Sequence, residues 1–176
     1  MSSKKDKILS TALELFSNEG YNATSTSKIA KVAEVSEGLI FRHFGNKKGL
    51  LDALNQIAEQ RAAEAFMPIL LETDAKEVLR KTIQLPVNGT IKEEDYSFWR
   101  LQYKLKWEPE YYNPKKMQVL IDKLTTAFQV LNYSAPHLEA RFLTQTLETL
   151  SIGVLRDGLE QQLPLAQLLL SKYDLE

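Results

Sequence analysis

The 176-residue chain contains no cysteine. Disulfides are therefore impossible, cysteine-based zinc sites are excluded, and a reducing, cytoplasmic compartment is the expectation. Histidine is nearly absent as well. His43 and His137 are the only two and lie far apart in sequence, so no metal site and no cofactor are expected. No run approaches eighteen apolar residues, which argues against a transmembrane helix and a membrane partner. The N-terminus, MSSKKDKILSTALELF, is basic and then apolar. Glu14 interrupts the apolar part and no small-residue cleavage site follows, so a signal peptide is not expected. The chain also lacks a phosphate-binding glycine loop, a nucleophile–base arrangement and metal-ligand spacing, so it does not read as an enzyme.

What is present is a soluble, core-forming composition, with 44% apolar and 26% charged residues. The net charge of −1 hides an asymmetry. Residues 1–50 hold eight Lys/Arg against five Asp/Glu, and residues 51–176 hold fourteen against eighteen. A basic head on an acidic body suits contact with nucleic acid through one end. Periodicity predicts an all-α chain of about nine helices, near 4–19, 25–33, 37–44, 47–67, 75–86, 94–107, 112–132, 135–160 and 164–173, with no β-alternation. Gly20, Pro68 and the segments 86–90, 109–114 and 133–136 punctuate it. Ser25, Ser36 and Asn46 are placed to cap the second, third and fourth helices. The second and third are too short to stand alone and must pack on the first. The expected division is a helix-turn-helix head over 1–46 and a helical body over 47–176.

The third helix, EGLIFRHF, carries the functional signal. Ile40 and Phe44 share one face, with Val35 leading in, and belong to the core. Glu37, Gly38, Phe41 and Arg42 point the other way. An exposed Phe beside Arg suits a surface laid in the DNA major groove, which admits an α-helix. There Arg42 would bond a guanine edge or a phosphate, and Leu39 would touch a thymine methyl. Gly38 would let backbones approach, and Glu37 would accept from a cytosine amino group or reject wrong sites. Ser25, Thr26, Lys28, His43, Lys47 and Lys48 are placed for phosphates. Tyr21 is expected to pack back on the head.

The stretch GYNATSTSKIAKVAEVSEGLIFRHFGNKKGL, Gly20–Leu50, resembles the helix-turn-helix signature of the TetR family of transcription regulators. Its landmarks are Gly20-Tyr21, Thr24, Ile29-Ala30, Ala33, Val35-Ser36, Gly38, His43-Phe44, Lys47 and Leu50. The resemblance implies DNA contact from Thr26, Ser36, Glu37, Gly38, Phe41, Arg42, His43 and Lys47. Three residues depart from the pattern. Phe41 stands for a usual tyrosine, Glu34 for a usual turn glycine, and Lys28 for a usual acidic capping-box residue.

In the body, residues 96–112 hold seven of the sixteen aromatics. Trp99, Tyr103 and Trp107 are spaced i, i+4, i+8, with Tyr96 nearby. Core packing explains any one of them; an aromatic-walled effector cavity, which the resemblance implies, explains them together. Phe66, Met117 and Phe128 are further lining candidates. The helix 135–160 has two apolar stripes, Leu143, Leu147, Leu150, Val154 and Phe142, Thr149, Ile152, Leu159, with Gly153 between. A helix apolar on two sides buries both, in a homodimer or in a central core position. The expected function is a homodimeric regulator, a repressor of a palindromic double-stranded operator, released by a small-molecule effector. The alternative is a helical small-molecule carrier that does not use DNA.

Overall fold

The computed structural model describes residues 3–88, 93–108, 110–111 and 114–176. The described residues are helical and contain no strand. The helices are α1 (Lys4–Glu19), α2 (Thr26–Val32), α3 (Glu37–Phe44), α4 (Lys47–Leu70), α5 (Ala75–Gln84), α6 (Glu93–Leu105), α7 (Gln118–Val130), α8 (Pro136–Asp157) and α9 (Leu159–Lys172), with a 3-10 turn at Pro114–Met117. The all-α class and nine-helix order expected from periodicity are what the described residues adopt. No described helix is long and apolar enough to cross a membrane.

Local chemistry sets most of the helix ends. Ser3 and Asp6 form a reciprocal capping box at α1, with bonds of 3.0 and 3.1 Å. Gly20 ends that helix at φ 97°, where a side chain would be strained. Ser25 accepts from the Lys28 backbone at 3.2 Å, and Asn46 accepts from the Gly49 backbone at 2.8 Å. Gly49 has a second reason to be glycine: a Cβ there would lie 2.0 Å from the Phe44 carbonyl.

Three boundaries differ from the periodicity. Pro68 does not end α4, which runs on to Leu70. The helix expected over 112–132 starts as a 3-10 turn and becomes α-helical only at Gln118 (its first two positions lie outside the described residues). Gly158, at φ 92°, ends α8 at Asp157, and α9 begins at once, so Pro164 sits inside α9 and not at its start. Leu159 therefore belongs to α9. Of the expected breaks, Gly89, Thr90, Pro109, Tyr112 and Asn113 lie outside the described residues.

The chain forms two compact units. One comprises residues 1–62 and 93–112, the other 63–92 and 113–176. The unit that holds the head is thus larger than the 1–46 expected for it. Leu50, Leu51, Leu54 and Ala58 of α4, and Phe98, Leu101 and Leu105 of α6, share one core with Ile8, Ala12, Phe16, Ile29 and Ile40. The other unit packs α5, α7, α8 and α9 around Leu79, Ile83, Leu124, Phe128 and Leu143, each fully buried. Phe128 meets Tyr133 and Tyr173 at ring distances of 5.0 and 5.3 Å. The buried Tyr173 hydroxyl donates to Glu139 at 2.9 Å, and Arg80 Nε donates to the Leu175 carbonyl at 2.9 Å, which ties down the last residues of the chain.

Candidate nucleic-acid interface

Two short helices joined by a turn are held on a third. Buried Thr24 closes the α1–α2 loop by donating to the Gly20 carbonyl at 2.9 Å. Small residues, Ala30 and Ala33, let α2 lie close to its neighbours, and Ile29 fills the space beneath. The α2–α3 turn passes through Glu34 at φ 53°, after which the Val35 N–H donates to the Ala30 carbonyl at 3.0 Å.

On α3, Ile40 is wholly buried while Phe41, the next residue, is 45% exposed. Arg42 and His43 are exposed beside it, as are Ser36 and Gly38 at the start of the helix. Phe44 and Val35 pack against the core, as their spacing predicts. Leu39, expected to reach a thymine methyl, also lies partly against the core, which limits its reach outward. Ser36 stands at the N-cap of α3 without a side-chain hydrogen bond. The cap expected of its hydroxyl is therefore not made, and the Leu39 N–H donates to the Ser36 carbonyl at 3.0 Å instead. Glu37 is half-buried and accepts from the Thr26 hydroxyl at 2.6 Å, so these two candidates bind the starts of α2 and α3 together. That contact competes with any role of Glu37 toward a base.

The lysines have definite surroundings. Lys47 lies over the Tyr21 ring, 4.2 Å from its centroid, and partial burial holds its ammonium below the usual lysine range. An ammonium over an aromatic face gains about 0.5–1 kcal/mol where water remains close. Lys48 is bonded to Asp52 at 2.9 Å, which raises its pKa. Lys28 meets Glu19 at 2.5 Å and Lys7 meets Glu34 at 2.6 Å. Such exposed pairs are weakly held, and their lysines can be given up to a phosphate. Tyr21 was expected only to pack on the head. The structure also makes it the seat of Lys47, and a Tyr directly after a helix-ending Gly, 26 positions ahead of that lysine, is a signal too diffuse to identify from sequence.

Residues 8–54 match the family model described as bacterial regulatory proteins, tetR family. The head belongs to the TetR family. Similar proteins include the HTH-type transcriptional regulator QacR of Staphylococcus aureus strain Mu50, 45% identical over 62 residues, which span 35% of this chain and 33% of that one. YvkB, an uncharacterized HTH-type transcriptional regulator of Bacillus subtilis strain 168, is 48% identical over 72 residues, spanning 36% and 38%. The matched part is thus only about a third of the length of these relatives. A TetR-like transcriptional regulator from Rhodococcus sp. RHA1 shares the fold over 94% of this chain and 91% of its own, with a TM-score of 0.79 at 21% identity.

The three departures from the TetR-family pattern each have a structural outcome. Glu34, in place of the turn glycine, does adopt positive φ. A non-glycine residue there costs on the order of 1–2 kcal/mol. The ion pair with Lys7 holds its carboxylate below the usual range. Lys28, in place of a capping-box acid, leaves the Ser25 cap in place and turns its ammonium to Glu19. Phe41 presents a bare ring where the TetR-family tyrosine would carry a hydroxyl.

The candidates in the body are not brought into one unit. Tyr96, Trp99, Tyr103 and Trp107 belong to the unit with the head, and Phe66, Met117 and Phe128 to the other. Tyr96 and Trp99 meet edge to face at 6.2 Å, and they and Tyr103 are half-buried. Trp107 leaves their stripe, because α6 ends at Leu105 and the indole is 85% exposed. Phe128 is core, fully buried among Tyr133 and Tyr173. Phe66 and Met117 are half-buried. The residues of α6 that pack inward are Phe98, Leu101 and Leu105, and their i, i+3, i+7 spacing is the sequence signal for that face. On α8, Leu143, Leu147, Leu150, Gly153 and Val154 are buried within their own unit, Ile152 is half-buried and Phe142 is exposed, while Leu159, at the start of α9, is half-buried. Gly153 approaches Gln162 of α9, where a Cβ would lie 2.3 Å from Oε1. Its close contact is inside the chain.

Proposed function

We propose that this chain is a DNA-binding transcription regulator, a repressor, whose operator affinity is set by a small molecule bound in the body. The observation that carries the reading is α3 itself. It buries Ile40 completely and turns Phe41, Arg42 and His43 to solvent, at the end of a head with TetR-family sequence. In this reading Arg42 reads a base edge and Phe41 packs on the groove wall. Ser25, Thr26, Lys28, Ser36, His43, Lys47 and Lys48 hold phosphates, with Gly38 allowing close approach. Residues 1–46 are the DNA-reading part and 47–176 the regulatory part.

The chain acts as a homodimer, because one eight-residue helix reads only a few base pairs and a two-fold pair of heads reads a palindrome. The dimer surface we propose is the exposed apolar face of α8 and α9, with Leu138, Phe142, Leu165 and Leu168. It replaces the Leu143–Val154 stripe, which the chain's own core uses. The half-buried Tyr96, Trp99 and Tyr103 are the aromatic residues of the effector site.

Selection of double-stranded DNA from a random pool tests this. The expected product is a site with two-fold symmetry and binding that weakens steeply with salt. A pool that shows no enrichment after repeated rounds overturns it.

A further inference from the structure

We propose that Tyr111 is a positioning residue for DNA binding: through Tyr21 it fixes Lys47 at the place where it takes a phosphate. The inference rests on the DNA-reading role of the head and adds a residue outside the helix-turn-helix. Tyr21 is the pivot. Its ring is wedged edge to face between Phe16, 5.2 Å away, and Tyr111, 5.7 Å away. Its open face carries the Lys47 ammonium at 4.2 Å. Burial, the larger cause, and the neighbouring Tyr111 side chain push the Tyr21 phenol up to about 12. The phenol is therefore a neutral support for a cation at any ordinary pH.

Tyr111 is itself anchored. Its N–H donates to the Glu108 carbonyl at 2.9 Å, and the Glu108 carboxylate accepts from Asn22 at 3.2 Å. The segment just beyond α6 thus grips the α1–α2 loop at two adjacent residues, Tyr21 and Asn22. Lysine is a flexible point charge, and fixing four torsions at the moment of binding is unfavourable. A lysine already seated on a ring loses less on meeting a phosphate. Without Tyr111 one wall of the Tyr21 slot is gone, the ring is free to tilt, and the seat of Lys47 is lost while α3 and its base-reading face stay intact.

The test is the salt dependence of DNA affinity for the full chain, measured on one duplex of mixed sequence for wild type, Tyr111→Leu, Tyr111→Phe and Lys47→Gln, each with a melting curve. Each phosphate neutralised contributes about 0.9 to the slope of log affinity against log salt. Lys47→Gln and Tyr111→Leu are both expected to lose about 0.9 per head, and Tyr111→Phe an intermediate amount. Adding Tyr111→Leu to Lys47→Gln should change the slope no further. A Tyr111→Leu protein that melts lower but keeps the wild-type slope overturns the proposal and leaves Tyr111 a packing residue. A slope loss that persists in the Lys47→Gln background also overturns it. Should Tyr111→Leu not fold, a Tyr111→Phe slope equal to wild type overturns it. Wild-type affinity that is flat in salt fails the DNA reading itself, and the proposal with it.

Discussion

Ile40 and Phe41 are neighbours in sequence and opposites in structure, and truncating each to alanine separates the two tasks of α3. Ile40 is wholly buried. Ile40→Ala removes about three carbons, or ~2.4 kcal/mol at ~0.8 kcal/mol each. The cavity left behind brings the expected loss to about 2.5–4 kcal/mol. For a chain of this size that lowers the melting temperature by roughly 5–15 °C. Phe41→Ala is different. The ring is 45% exposed, and alanine recovers about half a kcal/mol of helix propensity, so the expected stability change is within about 1 kcal/mol. The exposed part of the ring is on the order of 90 Å² and would be covered in the groove. At ~25 cal/mol per Å², its loss costs about 2 kcal/mol of DNA affinity per head. Circular dichroism melts and fluorescence anisotropy on the selected duplex, well below either melting point, read the two effects. The reasoning fails if Phe41→Ala destabilises as much as Ile40→Ala, or binds DNA like wild type.

Other outcomes follow from single contacts. Glu34→Gly relieves the positive φ at the α2–α3 turn. Its melting temperature should rise by a few degrees, at ~2–4 °C per kcal/mol; a fall would mean that the bond to Lys7 outweighs the backbone term. Glu72 accepts from Lys81 and from the backbone of Asp74 and Thr73, and these bonds lower its carboxyl from the usual range to about 2. A depressed carboxylate stabilises the fold above its unfolded value, and that contribution is lost as pH falls from about 4.5 toward about 2. Glu72→Gln should therefore flatten the pH dependence of stability over that range, and an unchanged acid profile would show that other groups set it. On the dimer face, Phe142→Asp together with Leu168→Asp should yield monomers by sedimentation at concentrations where wild type is dimeric; an unchanged mass rules out that face.

The head was legible because its information is local. Gly20, Ser25 and Asn46 mark helix ends by their own side-chain or backbone chemistry, and Ile40 and Phe44 repeat at a four-residue spacing that fixes which face is buried. The joining of α6 to the head was not legible, since the contacts of Phe98 and Leu101 with α1 link residues some eighty positions apart. The α8–α9 boundary was missed for another reason. Leu159 stands seven residues after Ile152 and continues its apolar stripe, so the pattern runs through the break and the positive-φ Gly158 ends the helix. The stripes of α8 mark it as apolar on two sides, but spacing does not say which side the chain's own helices cover.

The central claim is that α3 reads base edges through Arg42. Its most direct test is the affinity of Arg42→Ala for the selected site and for unrelated duplex, at fixed salt. The account predicts a loss of about 1–3 kcal/mol at the selected site, a smaller loss on unrelated DNA, and an unchanged melting curve. Equal affinity of wild type and Arg42→Ala for the selected site would contradict it.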